Sequence, residues 1–432
     1  RYNTIMVHAY GNNPMFTYDF RGLDKEVGYV ATSRRGRDWG NQHVNDVRRL
    51  PGGEIFDAPE FGSEVALVPD KRRIEAKQSL MQRVFAAAER RQMQVCFALD
   101  FDTPSVLPQE MIESLDEDER FSNGDIWLPR PDTPGGYEFY LAQVRALLEL
   151  YPQIDILAVW RRPGGSEWGK LQEPGQLPPA WREEYEAHVR DNPHVAEMDI
   201  KRVVPAFALA KVGAAVQRAL AELGRDDVRL STGSWHTDWM PSSLEFFPEE
   251  FTMMPIDSKS MDRYRGGSYF YSEGPRKVLE SARGRVTPII WAHHDDGEYI
   301  GRPLTPHENF HDTLAALDAG GFGVLHWMNR PLDLYFKNQI NQVWEQRLNE
   351  PLARTCDTMA RHFFGPAREE NLGAYLLSWL EGAPVFGRVT SDQYFTEEPF
   401  IPEPDANLRH YSERLPRPQT VDTAGMTARQ PE

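Results

Sequence analysis

The sequence predicts an α/β fold, a (β/α)8 TIM barrel with long loops after its strands and a short C-terminal extension. Eight short apolar runs, helical patterns between them and long segments after several of the runs favour this architecture. Continuous apolar runs are typical of strands buried on both faces, as in a parallel sheet. Eight strands alternating with helices make a closed barrel the simplest solution. The alternative is an open doubly wound sheet, which is disfavoured because no G-x-G-x-x-G follows the first run.

The predicted elements alternate along the chain. The predicted strands cover residues 4–10, 64–69, 95–101, 154–160, 228–233, 251–256, 286–291 and 322–327. The predicted helices cover residues 72–91, 137–150, 207–223, 276–282, 309–319, 332–344 and 353–364. Two of these helices are followed by glycine, at Gly224 and at Gly320, as helix C-termini often are.

Long predicted loops follow the strands, at residues 11–63, 102–134 and 161–205. Loops on this end of a barrel build its active site, so we expect a roofed cleft there. Residues 1–365 are predicted to form the catalytic barrel and residues 366–411 a helical or irregular extension. Residues 412–432 are predicted to be a tail or linker, because they are rich in proline and charge and lack periodicity.

Composition excludes some functions and leaves others open. A net charge of −17 opposes binding to nucleic acid or to anionic membranes. No run is long and apolar enough to span a bilayer. The only cysteines, Cys96 and Cys356, do not form a disulfide framework. Oligomeric state and compartment stay open, and a periplasmic or secreted location is favoured only by the substrate class proposed below.

Carboxylates that follow the predicted strands would meet at one end of a barrel. Glycosidic hydrolysis needs one carboxyl to protonate the leaving oxygen and another to act as base or nucleophile. Glu167 is predicted as the acid, since the neighbouring Trp168 would favour its protonated form. Asp295 or Asp296 is predicted as the base or nucleophile, with Glu298 as the fallback. Helix capping or pairing with arginine is the ordinary alternative for any one of these groups.

Aromatic and polar side chains near the same strand ends are predicted to bind the substrate. Sugar rings stack on indoles, and guanidinium groups match the carboxylate of an acidic sugar. The predicted substrate-binding residues are Trp168, Trp235, His236, Asp257, Trp291, His294, Trp327, Arg162, Arg302 and Arg330. The tryptophans could instead pack beneath the loops. The arginines could instead neutralise the carboxylates that follow the predicted strands.

The string HHDD at residues 293–296 suggests a metal, because histidine and aspartate suit zinc or manganese. Adjacent residues rarely all reach one ion, however, and the first predicted strand ends with a single histidine, His8. No metal and no cofactor are therefore predicted.

Three phrases resemble glycoside hydrolase (β/α)8 barrels of the α-glucuronidase and β-hexosaminidase type: RYNTIMVHAYG, IIWAHHDDGEYIGRPL and GFGVLHWMNRPLD. The resemblance implies a carbohydrate-active barrel, an acid at Glu167, a base at Asp295 or Asp296, and a uronic acid as a candidate substrate component. Ser166 stands where β-hexosaminidases carry an aspartate before the acid. That departure argues against catalysis assisted by an N-acetyl group of the substrate.

The sequence thus predicts a glycoside hydrolase that cleaves a polysaccharide or oligosaccharide. One alternative is a polysaccharide lyase or metal-assisted hydrolase that uses His236, His293 and His294. The other is a barrel that binds carbohydrate without catalysis. A carbohydrate is the expected partner in all three cases.

Overall fold

The computed structural model describes residues 3–9, 15, 17–26, 70–101, 103, 107–161, 166–234, 239–257, 282, 284–291, 314–315, 318–325, 333–343, 351–365 and 372–382. The strands are β1 Thr4–Ala9, β2 Thr17–Phe20, β3 Leu23–Glu26, β4 Gln94–Asp100, β5 Arg120–Ser122, β6 Trp127–Pro129, β7 Ile154–Arg161, β8 Arg229–Ser234, β9 Thr252–Asp257, β10 Ile289–Trp291 and β11 Gly323–Leu325. The α-helices are α1 Asp70–Glu89, α2 Gln109–Glu113, α3 Pro134–Leu150, α4 Pro179–Asp191, α5 Ile200–Glu222, α6 Met240–Phe246, α7 Asp333–Val343, α8 Leu352–Phe364 and α9 Leu372–Gly382.

Seven of the described strands form one parallel sheet in the order β1-β4-β7-β8-β9-β10-β11, which is also their order along the chain. The other four form two antiparallel pairs, β2 with β3 and β5 with β6. Right-handed crossovers between the seven parallel strands in this order place the helices that connect them on the same face of the sheet. A doubly wound sheet, by contrast, reverses its order at a switch point. The α/β class and the parallel sheet are confirmed. Closure into a ring of eight strands is not shown within the described residues.

The predicted second strand, at residues 64–69, lies outside the described residues. β1 and β4 pair directly, from Thr4 with Gln94 to Ala9 with Leu99. The sheet therefore has no position between these two strands, where a second strand of a regular barrel would lie.

Alternating side chains of the strands pack into two separate apolar clusters. Val95, Phe97 and Leu99 of β4 belong to the main core, together with side chains of the helices. Cys96 and Ala98 belong to a second cluster, which also contains Ile156, Ala158, Trp160, Met254, Ile256 and Ile289. We call the face that carries this second cluster the inner face. Both faces are buried, which explains why the strand sequences are continuously apolar.

Two helices begin earlier than predicted, because their N-termini are capped by polar side chains. The Thr133 hydroxyl accepts a hydrogen bond from the Gly136 N–H, so α3 begins at Pro134 rather than at residue 137. Asp199 caps α5 in the same way, through the Lys201 N–H. The expectation that no run is long and apolar enough to span a bilayer is wrong for α5, which by length and composition could cross a membrane. In the structure, 78% of its most apolar stretch is buried inside the protein.

The prediction of one loop over residues 161–205 is wrong, because the segment contains α4 and the first turns of α5. α4 buries only Trp181 and Tyr185, so its apolar periodicity is weak and the pattern of its sequence does not reveal it. Residues 372–382 of the predicted extension form α9.

A carboxylate joins α4 to α6. Glu245 accepts hydrogen bonds from His188 Nε2 at 2.6 Å and from His194 Nε2 at 2.9 Å. Burial raises the pKa of Glu245, but the two histidines outweigh this effect and the pKa is lowered. Because the pKa of Glu245 is lowered in the folded state, its carboxylate stabilises the protein at pH values above the ordinary pKa of 4.5. This stabilisation is lost as the pH falls through the folded-state pKa.

We therefore expect Glu245→Gln to lower the free energy of unfolding by about 1 kcal/mol at pH 6. The difference from wild type should shrink once the pH falls below the ordinary carboxyl pKa. Urea unfolding at pH 6 and at pH 3.5 measures it. Glu249→Gln, at an exposed position, is the matched control. A difference that is equal at both pH values would contradict the ionic origin of the effect.

Candidate active site

The structure describes few of the predicted site residues. Glu167 and Trp168 are described with their side chains, and Asp257 and Trp291 are the last residues of β9 and β10. The others lie outside the described residues: Arg162, Trp235, His236, His294, Asp295, Asp296, Glu298, Arg302, Trp327 and Arg330. Their predicted roles stay predictions.

The carboxyl ends of the parallel strands share one edge of the sheet, and a row of register partners lies along it. Asp100 of β4 pairs with Trp160 of β7, Trp160 with Gly233 of β8, and Gly233 with Met254 of β9. Ligands of parallel α/β sheets bind at this edge. The row therefore marks the candidate active site.

A histidine–carboxylate pair lies on the inner face at this edge. His8 Nε2 of β1 and Asp100 Oδ1 are 2.7 Å apart. The Asp100 side chain is fully buried, whereas the His8 side chain is 11% exposed. The His8 ring also packs against Trp160, with ring centroids 5.0 Å apart. A buried carboxylate that orients an accessible imidazole is an arrangement suited to proton transfer.

Three buried polar atoms on the inner face have no hydrogen-bond partner in the described structure. They are Asp100 Oδ2, Trp160 Nε1 and the hydroxyl oxygen of Ser231, which precedes Gly233 by two residues on β8. Leaving a buried donor or acceptor unpaired costs about 1–3 kcal/mol, and such groups are rare in folded proteins. Unpaired groups on three adjacent strands indicate a place where a bound group completes the hydrogen bonding.

Gly233 makes room for the Trp160 ring. A Cβ atom at Gly233 would overlap Trp160 Cζ3, would lie 2.6 Å from Trp160 Cε3, and would lie 2.6 Å from the Met254 carbonyl oxygen. Only glycine allows the indole to lie across β8 at this level of the sheet.

The predicted acid, Glu167, lies in the loop after β7, directly before the 3-10 turn Trp168–Lys170. Its side chain is buried and accepts hydrogen bonds from Asn123 Nδ2 at 2.9 Å and from Lys170 Nζ at 2.8 Å. Lys170 Nζ also binds Asp125 Oδ2 at 2.7 Å. Asn123 and Asp125 lie between β5 and β6, in the connection after β4. The loops that follow two adjacent strands therefore meet at Glu167.

Lys170 stays charged in this arrangement. Burial would lower its pKa, but hydrogen bonds and attraction from Asp125 and Glu167 outweigh burial and raise the pKa. Both oxygens of Glu167 accept hydrogen bonds from Lys170 or Asn123. A general acid must carry a proton, so Glu167 would have to release Lys170 before acting as one. The acid role of Glu167 stays a prediction.

Trp168 is buried and packs inside the protein. Its indole stacks on Trp181, with centroids 6.1 Å apart and rings inclined by 24°, and it contacts Phe121 at 5.8 Å. In this position the indole supports the Glu167 loop and presents no open face to a sugar.

Sequence reasoning selected neither His8 nor Asp100 as a site residue. Each lies at the last inward-facing position of its strand, and so does Trp160. The alternation of side chains along each strand could have identified these inward-facing positions. The contact of His8 with Asp100, however, also depends on the direct pairing of β1 with β4. No group of three or more metal-ligating side chains occurs in the part of the chain that the structure describes.

No protein-family model and no curated protein matches the chain. Among solved structures, D-psicose 3-epimerase with D-fructose aligns at 7% identity and a TM-score of 0.31, over 67% of this chain and 85% of that one. A GH20 catalytic module of the pneumococcal exo-β-D-N-acetylglucosaminidase StrH aligns at 9% identity and 0.35, over 87% and 90%. A β-N-acetylhexosaminidase from Bacteroides fragilis NCTC 9343 aligns at 10% identity and 0.35, over 91% and 68%. No family follows from these similarities.

Proposed function

We propose that this chain is a glycoside hydrolase that cleaves a polysaccharide or oligosaccharide at the carboxyl edge of its parallel sheet. One observation carries the proposal: two buried carboxylates lie at the carboxyl ends of adjacent strands, Asp100 as the last residue of β4 and Glu167 in the loop after β7. Glycosidic hydrolysis requires two carboxyl groups, one as acid and the other as base or nucleophile.

In this proposal Glu167 donates the proton to the leaving oxygen, and Asp295 or Asp296 acts as base or nucleophile, with Glu298 as the fallback. Arg162, Arg302 and Arg330 would hold the carboxylate of a uronic acid. These assignments rest on the sequence, except for the contacts of Glu167.

A polysaccharide lyase is the second candidate, and the His8–Asp100 pair is the observation that favours it. A lyase removes the proton next to the uronate carboxyl group and expels the 4-linked sugar, so that a double bond forms. An imidazole oriented by a buried carboxylate is a suitable base for that step.

A release assay tests the proposal directly. Purified protein is incubated with a panel of neutral and uronic-acid-containing polysaccharides, with and without EDTA, and reducing sugar and absorbance near 235 nm are both recorded. The glycoside hydrolase proposal predicts reducing sugar without the absorbance of an unsaturated uronate, unchanged by EDTA.

Other outcomes would contradict the proposal in different ways. Products that absorb as unsaturated uronates would identify a lyase. Activity lost with EDTA and restored by zinc or manganese would identify a metal-assisted enzyme. Binding to a polysaccharide without release from any member of the panel would identify a non-catalytic barrel.

A further inference from the structure

We propose that Asp100, Trp160 and Ser231 form a hydroxyl-binding floor, at which the inner face of the sheet binds a hydroxyl group of the sugar ring. The inference deepens the proposed function, because it names the chemical group that the inner face recognises. It rests on three buried polar atoms that have no partner in the described structure.

The three side chains lie on three consecutive strands of the sheet, β4, β7 and β8. Asp100 and Trp160 are register partners on adjacent strands, whose backbones lie about 4.8 Å apart. Ser231 of β8 pairs with Ala158, which is two residues before Trp160. Side chains two residues apart on a strand share a face, so all three lie on the inner face.

The position of the Trp160 ring shows which way its N–H points. The Cε3–Cζ3 edge of the indole lies against Gly233 of β8. Nε1 is on the opposite long edge of an indole ring, so the N–H faces away from β8. The His8 ring, bound to Asp100, packs against the same indole.

The chemistry of these atoms selects a neutral hydroxyl group. Trp160 Nε1 offers only a donor, and a carboxylate oxygen such as Asp100 Oδ2 offers only an acceptor. One hydroxyl can accept from the indole and donate to the carboxylate at the same time. An anion would be repelled by Asp100, and an ammonium group could not accept from the indole. The Ser231 hydroxyl can donate to or accept from a second oxygen of the same ring.

Water also has this donor and acceptor pattern, so the experiment must distinguish a sugar hydroxyl from an ordered water. Protein labelled with 15N at its tryptophan side chains gives one indole signal for each tryptophan, and Trp160→Phe assigns the signal of interest. D-Xylose, D-glucose, N-acetyl-D-glucosamine and D-glucuronate are then titrated separately into the wild-type protein. This readout does not depend on turnover.

We expect at least one of these sugars to shift the Trp160 indole signal in a saturable manner. The Trp239 indole is the internal control, because its Nε1 is also buried and unpartnered but its ring packs against Arg161 and Arg202. Its signal should not move. Asp100→Asn should weaken the binding of the same sugar by about 10- to 100-fold, as expected for a lost hydrogen bond to a charged group.

The outcomes separate this inference from the proposed function. A Trp160 signal that no sugar moves, in a protein that releases sugar in the panel assay, would show that water fills the floor and would overturn the inference alone. A saturable shift without release would support the floor and contradict the hydrolase. Neither shift nor release would overturn both.

Discussion

Gly233→Ala is expected to be among the most damaging single substitutions on the inner face. The added methyl group would overlap the Trp160 ring and approach the Met254 carbonyl oxygen within 2.6 Å. Neither neighbour can yield easily, because the indole is fully buried and the carbonyl belongs to the backbone of β9. Overpacking of this kind costs about 3 kcal/mol, and relief of the overlap would displace the Trp160 ring from its position against β8.

Two measurements check this prediction. Urea unfolding should show the loss of stability, and the panel assay should show a fall in kcat/KM of at least about 100-fold on whichever polysaccharide the wild type cleaves. Gly175→Ala is the matched control, because nothing lies within 4 Å of a Cβ at that glycine. A Gly233→Ala protein with wild-type stability and activity would show that the position of Trp160 does not depend on Gly233.

Glu167→Gln is expected to lower kcat by about 10²- to 10⁴-fold, the range typical of a lost general acid. The loss of stability should be small, at about 1 kcal/mol, because the Lys170 side chain is 40% exposed and can be rehydrated once its partner is neutral. A large loss of activity with a small loss of stability distinguishes a catalytic carboxyl from one that only holds a loop.

The control for this prediction is Lys170→Met, which removes the ion pair but leaves the carboxyl group. If Glu167 acts as the acid, Lys170→Met should retain far more activity than Glu167→Gln. If both variants lose equal activity and equal stability, Glu167 serves the loop contact with Asn123 and Asp125 rather than the chemistry.

The sequence predicts the strands better than the site. β4 and β7 are found within one residue of their predicted bounds, because strands buried on both faces are continuously apolar. α4 was missed because its buried residues are sparse. The start of α3 was misplaced because a threonine cap, and not apolar periodicity, determines it.

Site residues are harder to predict because their roles depend on contacts between distant segments. Asp100 is recognisable in the sequence as a carboxylate at a strand end, but its contact with His8 joins residues that are 92 positions apart. Trp168 illustrates the opposite case: an aromatic residue beside a candidate acid suggests a sugar subsite, yet its ring is packed against Trp181. Strand register determines the contact of Asp100 with His8, and loop packing determines the position of Trp168. Local sequence patterns reveal neither the register nor the loop packing.

We propose that the substrate reacts at the carboxyl edge of the sheet, with Asp100 on its inner face. The most direct test is kcat/KM for Asp100→Asn on a polysaccharide that the wild type cleaves, beside Asp155→Asn as the control. Asp155 of β7 likewise contacts a neighbouring strand, since it accepts a hydrogen bond from the Val95 N–H of β4 at 2.7 Å, but it lies at the amino end of β7. We predict that Asp100→Asn lowers kcat/KM by at least about 100-fold and that Asp155→Asn leaves it within about threefold of wild type. Equal activities for wild type and a folded Asp100→Asn protein would contradict the claim and place the chemistry elsewhere.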